Sequence, residues 1–376
     1  MCPETQPAEV FAPGDFLREE LEARGWTQQT FADILGRPAQ AISEIVNGKK
    51  QITPETAIEI GKALDTSPEL WLGLEAAYRL SLRDSGENGV QQRAELHSLL
   101  PLTEMRKKGW LTTPRKADIQ ETRKEVLNFM GVRSLDKARE MRIAARRSCS
   151  DPAAQAGQLA WACRVRNLAA GIRCEPYTAC GLRATIRDLV ALSRTPEGVL
   201  AAPQFLAARG VRLVFVPHLT GTRIDGAALW QNRQPIIGLS LRYPRIDHFW
   251  FTLLHEVAHV VSGHHGRRDF IDDGMLSDEE APEVDSREEE EANQLAANWL
   301  IPPETLLELR DRHPDRISAE VIHQYSDRLE IHPGILVGRL QYQRWIEYHT
   351  HRKYLVNVRK LLQQADMLDC TPRLRG

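Results

Sequence analysis

Thirteen consecutive residues constrain this chain more than any others: Phe249-Trp250-Phe251-Thr252-Leu253-Leu254-His255-Glu256-Val257-Ala258-His259-Val260-Val261. They read as one continuous helix. On a helix, positions four apart share a face about one turn from each other, so His255 and His259 can chelate a single ion. Glu256 lies beside them, placed to take a proton from water rather than to bind the ion. The bland alternative is a pair of surface histidines on an ordinary helix. A third ligand decides between the two, because a catalytic zinc site has three protein ligands and one open position.

Downstream, Glu288-Glu289-Glu290-Glu291 precedes Ala292-Asn293-Gln294-Leu295-Ala296-Ala297-Asn298-Trp299-Leu300-Ile301, and Pro302-Pro303 stops that helix. Turning about 100° per residue puts Ala292, Ala296 and Leu300 on one side, with Asn293 beside them. Glu289 falls at the centre of this stripe and Glu288 at its edge. Glu290 and Glu291 point away. A carboxylate buried alone is costly, and a zinc ion would partner it. A solvated acidic run at a helix N-terminus, favoured by the helix dipole, is the other interpretation.

The rest of the chain organises around these two helices. Asp84-Ser85-Gly86-Glu87-Asn88-Gly89 separates a helical module from the residues after it. Residues 90–200 read mostly as helix. Strands come next at Val211–Val216, Gly226–Trp230 and Gln234–Ser240, and helix returns near Asp247. The fold class is α+β and mostly α. Its parts are a five-helix module at 1–83, a helical connector at 84–185, a domain with a small three-stranded sheet at 186–345, and a basic tail at 346–376. The formal net charge of −2 conceals net −5 over 1–83, +10 over 84–240 and −7 over 241–376. That balance argues against a nonspecific nucleic-acid coat; the asymmetry hints at separate roles, and the simpler reading of the basic middle is solvated helix faces. No stretch of eighteen apolar residues suggests a membrane span. The N-terminus lacks the pattern of a signal peptide. Six scattered cysteines without a Cys-x-x-Cys pair fit a reduced, cytoplasmic protein.

Within residues 14–83, Thr27 can cap a helix from Gln28 to Leu35, Gly36 allows a tight turn, and Pro38 opens a helix to Val46. Ile42, Ile45 and Val46 face inward, while Gln40, Ser43 and Glu44 face outward. This is a helix-turn-helix, whose second helix enters a major groove. A five-helix protein-binding module is the competing interpretation, and the net charge of −5 favours it.

Ala32, Gly36, Ile42, Ile45, Asn47 and Gly48 resemble the packing and turn residues of the lambda-repressor-like (XRE) helix-turn-helix family. Ala12-Pro13-Gly14, Ile52-Thr53, Trp71-Leu72, Leu74 and Tyr78 extend the likeness, over about residues 10–83, to its HigA-type antitoxin branch. The resemblance implies operator DNA as partner, bound as a homodimer. By position, Gln28 would clamp a phosphate. Gln40 and Ser43 would face base edges. Asn47 at the helix end would also contact DNA, and Lys49 and Lys50 would take phosphates.

His255-Glu256-Val257-Ala258-His259, then Glu289-Glu290-Glu291-Ala292-Asn293, then Leu300-Ile301-Pro302 resemble the motif set of the ImmA/IrrE family of metallopeptidases, over about residues 186–345. The resemblance implies a gluzincin-like fold, Zn²⁺ held by His255, His259 and Glu289, and Asn293 as the residue orienting a ligand histidine. Glu256 would be the general base. Oxyanion donors stay open among His323, His332, Tyr243 and His264, and His264-His265 reads as a helix-end pair. The segment 266–288 is a long acidic loop, either a lid, a docking edge or simply solvated.

Together these features imply a DNA-binding transcriptional regulator with a zinc-dependent endopeptidase domain. Its protein substrate would be a repressor, an antitoxin or the chain itself, in a stress or mobile-element response. The alternative is a non-enzymatic HigA-like repressor or antitoxin whose zinc fold is a sensor or partner-binding domain. A third possibility is a protease whose first module docks protein.

Overall fold

The computed structural model describes residues 11–82, 89–145, 151–264, 281–314 and 316–370. Of the expected acidic loop 266–288, residues 266–280 lie outside them, as do His265 and the last six residues, while 281–288 are not loop but the start of a helix that runs to Leu300. The chain forms two compact units, Met1–Gly89 and Val90–Gly376.

The first unit has five helices: α1 (Pro13–Ala23), α2 (Gln28–Leu35), α3 (Ala39–Val46), α4 (Pro54–Leu64) and α5 (Pro68–Ser81). Local chemistry sets their ends. Thr27, Thr53 and Ser67 accept hydrogen bonds from the amides of Thr30, Thr56 and Leu70, satisfying donors that a helix start leaves open. Gly36 takes φ 64°, the left-handed turn that frees α3 to cross α2. Leu17, Phe31, Ile42, Ile60 and Trp71 fill the core.

The second unit begins with α6 (Gly89–Leu99), α7 (Leu102–Lys107), α8 (Ile119–Met130), α9 (Leu135–Ala145) and α10 (Pro152–Ala169), followed by α11 (Ala179–Ala184), α12 (Ile186–Ala191) and α13 (Gly198–Ala207). Then come β1 (Arg212–Phe215), β2 (Gly226–Gln231) and β3 (Gln234–Leu239), near the three expected stretches. It closes with α14 (Ile246–Ser262), α15 (Ala281–Leu300), α16 (Pro303–Arg312), α17 (Ala319–Leu329), α18 (Pro333–Tyr342) and α19 (Val358–Gln364).

The sheet order is β1-β3-β2, with β1 parallel and β2 antiparallel to the central β3. Gln231 faces Gln234 across a two-residue turn, Asn232-Arg233, whose φ values of 52° and 61° fit the tight hairpin geometry matched to strand twist. Both faces of the sheet are apolar, so both need a cover. Leu213, Phe215, Ile237 and Leu239 join α14 in one core. Val214, Val216 and Ile236 join α10 in the other. Trp161 of α10 donates its ring N–H to the Val216 carbonyl at 2.7 Å. The stretch read from sequence as a connector is therefore one layer of the same unit as the sheet.

The stretch read as a basic tail is also integrated as far as residue 370. Val358 and Leu362 are buried in the main core. Leu368 bridges Phe215 at the outer edge of β1. No helix among the described residues is long and apolar enough to cross a membrane.

Candidate metal centre

The site is built on α14 and α15, which pack side by side. Gly263, at φ 75°, ends α14 in the left-handed conformation that caps helices. Arg245 fixes the other end, donating to Asp247 at 2.8 and 2.9 Å and to Gln341 of α18 at 2.9 Å. Ala292 and Ala296 on α15 are fully buried, and their small side chains let the two helices approach closely.

His255, His259 and Glu289 converge. The two Nε2 atoms are 3.1 Å apart, and the Glu289 carboxylate oxygens lie 3.2 Å from His255 and 3.3 Å from His259. These three are the one group of potential ligands that the described residues bring together. A tetrahedral zinc ion with bonds of about 2.0–2.1 Å sets its ligand atoms about 3.3 Å from each other. The observed triangle has those edges, and two imidazoles with one carboxylate are donors suited to zinc.

Electrostatics reinforce the arrangement. The two histidine hydrogen bonds hold Glu289 well below the ordinary carboxylate range. Burial works against a charged His255, yet Glu289 and Glu256 outweigh it and raise its pKa, with a smaller contribution from the Asn293 side chain. Asn293, exposed and one turn beyond Glu289, is thus placed beside His255.

Glu256 is the buried acid of the site, 6% exposed. It points to β2, where the Ala228 amide donates to it, and burial raises its pKa to about 7. A Cβ on Gly226 would lie 2.6 Å from Glu256 Oε1, so the strand backbone runs directly over the carboxylate.

Two further neighbours join the site: His264, one of the oxyanion candidates and half of the expected helix-end pair, and Glu291. His264 is 7% exposed, and its Nδ1 lies 3.1 Å from Nδ1 of His259. Glu291, expected to point away, lies 3.5 Å from His264 Nε2 and accepts from Ser262 at 3.3 Å. The helical wheel missed it because it reaches past the end of α14. The usable signal was Gly263, which turns the following histidine back. The other oxyanion candidates have other partners. His323 pairs with Tyr354 at 2.9 Å, His332 accepts from the Gly334 amide at 3.0 Å, and Tyr243 stacks on His248 at 5.2 Å.

In the first unit, Gln40, Asn47, Lys49 and Lys50 are exposed, and Gln28 and Ser43 are half-buried. Gln40 donates to Glu44 at 3.1 Å, and Asn47 donates to the Ser43 carbonyl at 2.7 Å and its hydroxyl at 3.3 Å. The outward face of α3 is thus a strip of polar side chains bonded to one another.

Fold and site define a two-part class: a helix-turn-helix module joined to a domain of metallopeptidase type. Residues 17–71 match the helix-turn-helix family, and residues 208–335 match the M78 peptidase family, described as an IrrE N-terminal-like domain. YddM, an uncharacterized helix-turn-helix-type transcriptional regulator of Escherichia coli K12, is 32% identical over 69 residues, 18% of this chain and 73% of that protein. A similar regulator of Haemophilus influenzae is 38% identical over 76 residues, 20% of this chain and 69% of its own length. Virulence-associated protein A' of Dichelobacter nodosus is 39% identical over 70 residues, 18% of this chain and 61% of that protein. A solved HigA-family addiction module antidote protein from Coxiella burnetii is 28% identical, with TM-score 0.19, over 28% of this chain and 99% of that one. The chain belongs to the helix-turn-helix-type transcriptional regulators and carries an M78, IrrE N-terminal-like peptidase-family domain.

Proposed function

We propose that the chain is a DNA-binding regulator whose second unit is a zinc-dependent endopeptidase acting on a repressor, an antitoxin or the chain itself. The supporting observation is the triangle of His255, His259 and Glu289 with the buried Glu256 beside it. Zinc, when bound, supplies a Lewis acid that activates water and polarises a peptide carbonyl. Glu256, with a pKa near neutrality, takes the proton of the attacking water and hands it to the leaving amine. β2 is an outer strand of the sheet and passes over Glu256, so an extended peptide can pair with it and present its backbone to the carboxylate.

In the first unit, Gln40 and Ser43 read base edges after exchanging their present intramodule bonds, and Gln28, Lys49 and Lys50 take phosphates. Asn47 closes α3 and holds Ser43 in place. A homodimer would match a palindromic operator.

The test has two arms. The protein is incubated with Zn²⁺ and a repressor or antitoxin encoded beside it, with self-cleavage followed in parallel. Glu256→Gln is expected to keep the metal and lose cleavage by at least about 100-fold. Equal cleavage by wild type and variant would sink the enzymatic half. In an operator shift assay, Gln40→Ala with Ser43→Ala should lose sequence selectivity, and unchanged selectivity would remove the DNA-reading half.

A further inference from the structure

The two ring nitrogens of His259 have different surroundings. Nε2 faces His255 and Glu289. Nδ1 faces Nδ1 of His264, 3.1 Å away in a buried position. A neutral imidazole that offers Nε2 to a metal carries its hydrogen on Nδ1. His259 must then donate, so the facing Nδ1 of His264 must accept. That leaves the His264 hydrogen on Nε2, which points to Glu291 Oε2 at 3.5 Å. One order of protons satisfies the whole chain from His259 through His264 to Glu291, and the reverse order would place a hydrogen in the metal position.

The backbone builds this contact directly. The amides of Gly263 and His264 both donate to the His259 carbonyl, at 3.0 and 3.1 Å, folding His264 back onto the ring it follows. Ser262 donates to the other oxygen of Glu291 at 3.3 Å. Glu291 sits two residues beyond Glu289 on α15, so the chain also ties the helix of His259 to the helix of the carboxylate ligand.

We propose that His264, backed by Glu291, is a positioning residue that fixes the tautomer and orientation of His259 for metal binding. The role rests on zinc being the ion of this site. A ligand imidazole held by a hydrogen bond at its far nitrogen binds metal more tightly, and losing such a partner costs about 10–100-fold in affinity.

The experiment titrates the full-length, metal-stripped protein with Zn²⁺ against a competing chelator, and with Co²⁺ followed by its visible absorption. Wild type is expected to bind one ion at the site, and His259→Ala to lose it. His264→Ala should keep the stoichiometry, bind about 10–100-fold more weakly and show an altered Co²⁺ spectrum. His264→Asn, whose amide oxygen can accept from Nδ1, should recover most of the affinity. Glu291→Ala, at an exposed side chain that leaves folding intact, should weaken binding a few-fold, and it carries the test if His264→Ala does not fold. Wild-type affinity and spectrum in His264→Ala or, if that variant does not fold, wild-type affinity in Glu291→Ala would overturn the positioning role while leaving the zinc reading intact. Loss of the ion in folded His264→Ala, as in His259→Ala, would make His264 a ligand instead. Failure of wild type to bind either metal would overturn the zinc reading and the inference with it.

Discussion

Glu256 carries the main electrostatic cost of the site. It is buried between α14 and the backbone of β2, with the Ala228 amide as a donor, and its carboxyl is raised to about 7. Linkage gives the sign of the consequence: the fold holds a proton that the unfolded chain releases from about pH 4.5 upward. The metal-free protein should therefore lose stability as pH rises from the ordinary carboxylate range to about 7 and lose no more from this group above that. The size is at most about 3 kcal/mol. Glu256→Gln should flatten this slope, so that metal-stripped variant and wild type differ more at pH 8 than at pH 5 in chemical denaturation. An equal gap at both pH values would mean that Glu256 titrates normally. The same residue marks what a single chain of letters can reveal. His255, Glu256 and His259 are legible because a helix repeats locally. Glu289 is legible because it lies in line with the apolar stripe of α15, although its carboxylate is about half exposed rather than buried as that stripe suggested. The contact between His264, named only as one of four oxyanion candidates, and Glu291 is not, because their meeting depends on the Gly263 turn and on where α15 lies against the end of α14.

At the level of elements, two sheet glycines have different reasons to be small. On β3, a Cβ at Gly238 would meet Val165 and Trp161 of α10 at 2.6 to 2.9 Å, deep in the second core. On β2, a Cβ at Gly226 would meet the movable Glu256 carboxylate at 2.6 Å and Thr252 at 2.9 Å. Gly238→Ala should therefore overpack the layer and cost about 1–3 kcal/mol in denaturant unfolding. Gly226→Ala should cost less stability but push Glu256 from its position, lowering cleavage more than folding. If both variants unfold alike and cleave alike, the close passage of β2 over the acid has no functional weight. The three strands were legible from β-branched runs and turn residues. That α10 covers the far side of the sheet was not. Its helix pattern gives no hint of which surface its Trp161 and Val165 will meet.

Across the whole molecule, the end of the described chain acts as a strap on the second unit. After α19, Leu368 pairs beside Phe215 at the β1 edge, and the Asp369 amide donates to the Phe215 carbonyl at 2.8 Å. The Asp369 carboxylate accepts from the Trp110 ring N–H at 2.7 Å and from Arg164 of α10 at 2.8 Å. One short segment thus holds together the sheet edge, the helix on its far face and the loop after α7. A basic composition made this stretch read as a tail, because long-range pairing leaves no local pattern to read. Each buried or half-buried hydrogen bond to a charged group contributes about 1.5–3 kcal/mol. Asp369→Ala removes two side-chain partners at once and leaves the Trp110 N–H without its acceptor. It should destabilise the second unit by about 2–4 kcal/mol and leave the first unit unaffected. Hydrogen exchange read unit by unit separates these effects. Faster exchange should be confined to α10, β1 and the loop at Trp110, with α1–α5 unchanged. Equal protection in variant and wild type would mean that the segment rests on the unit without holding it.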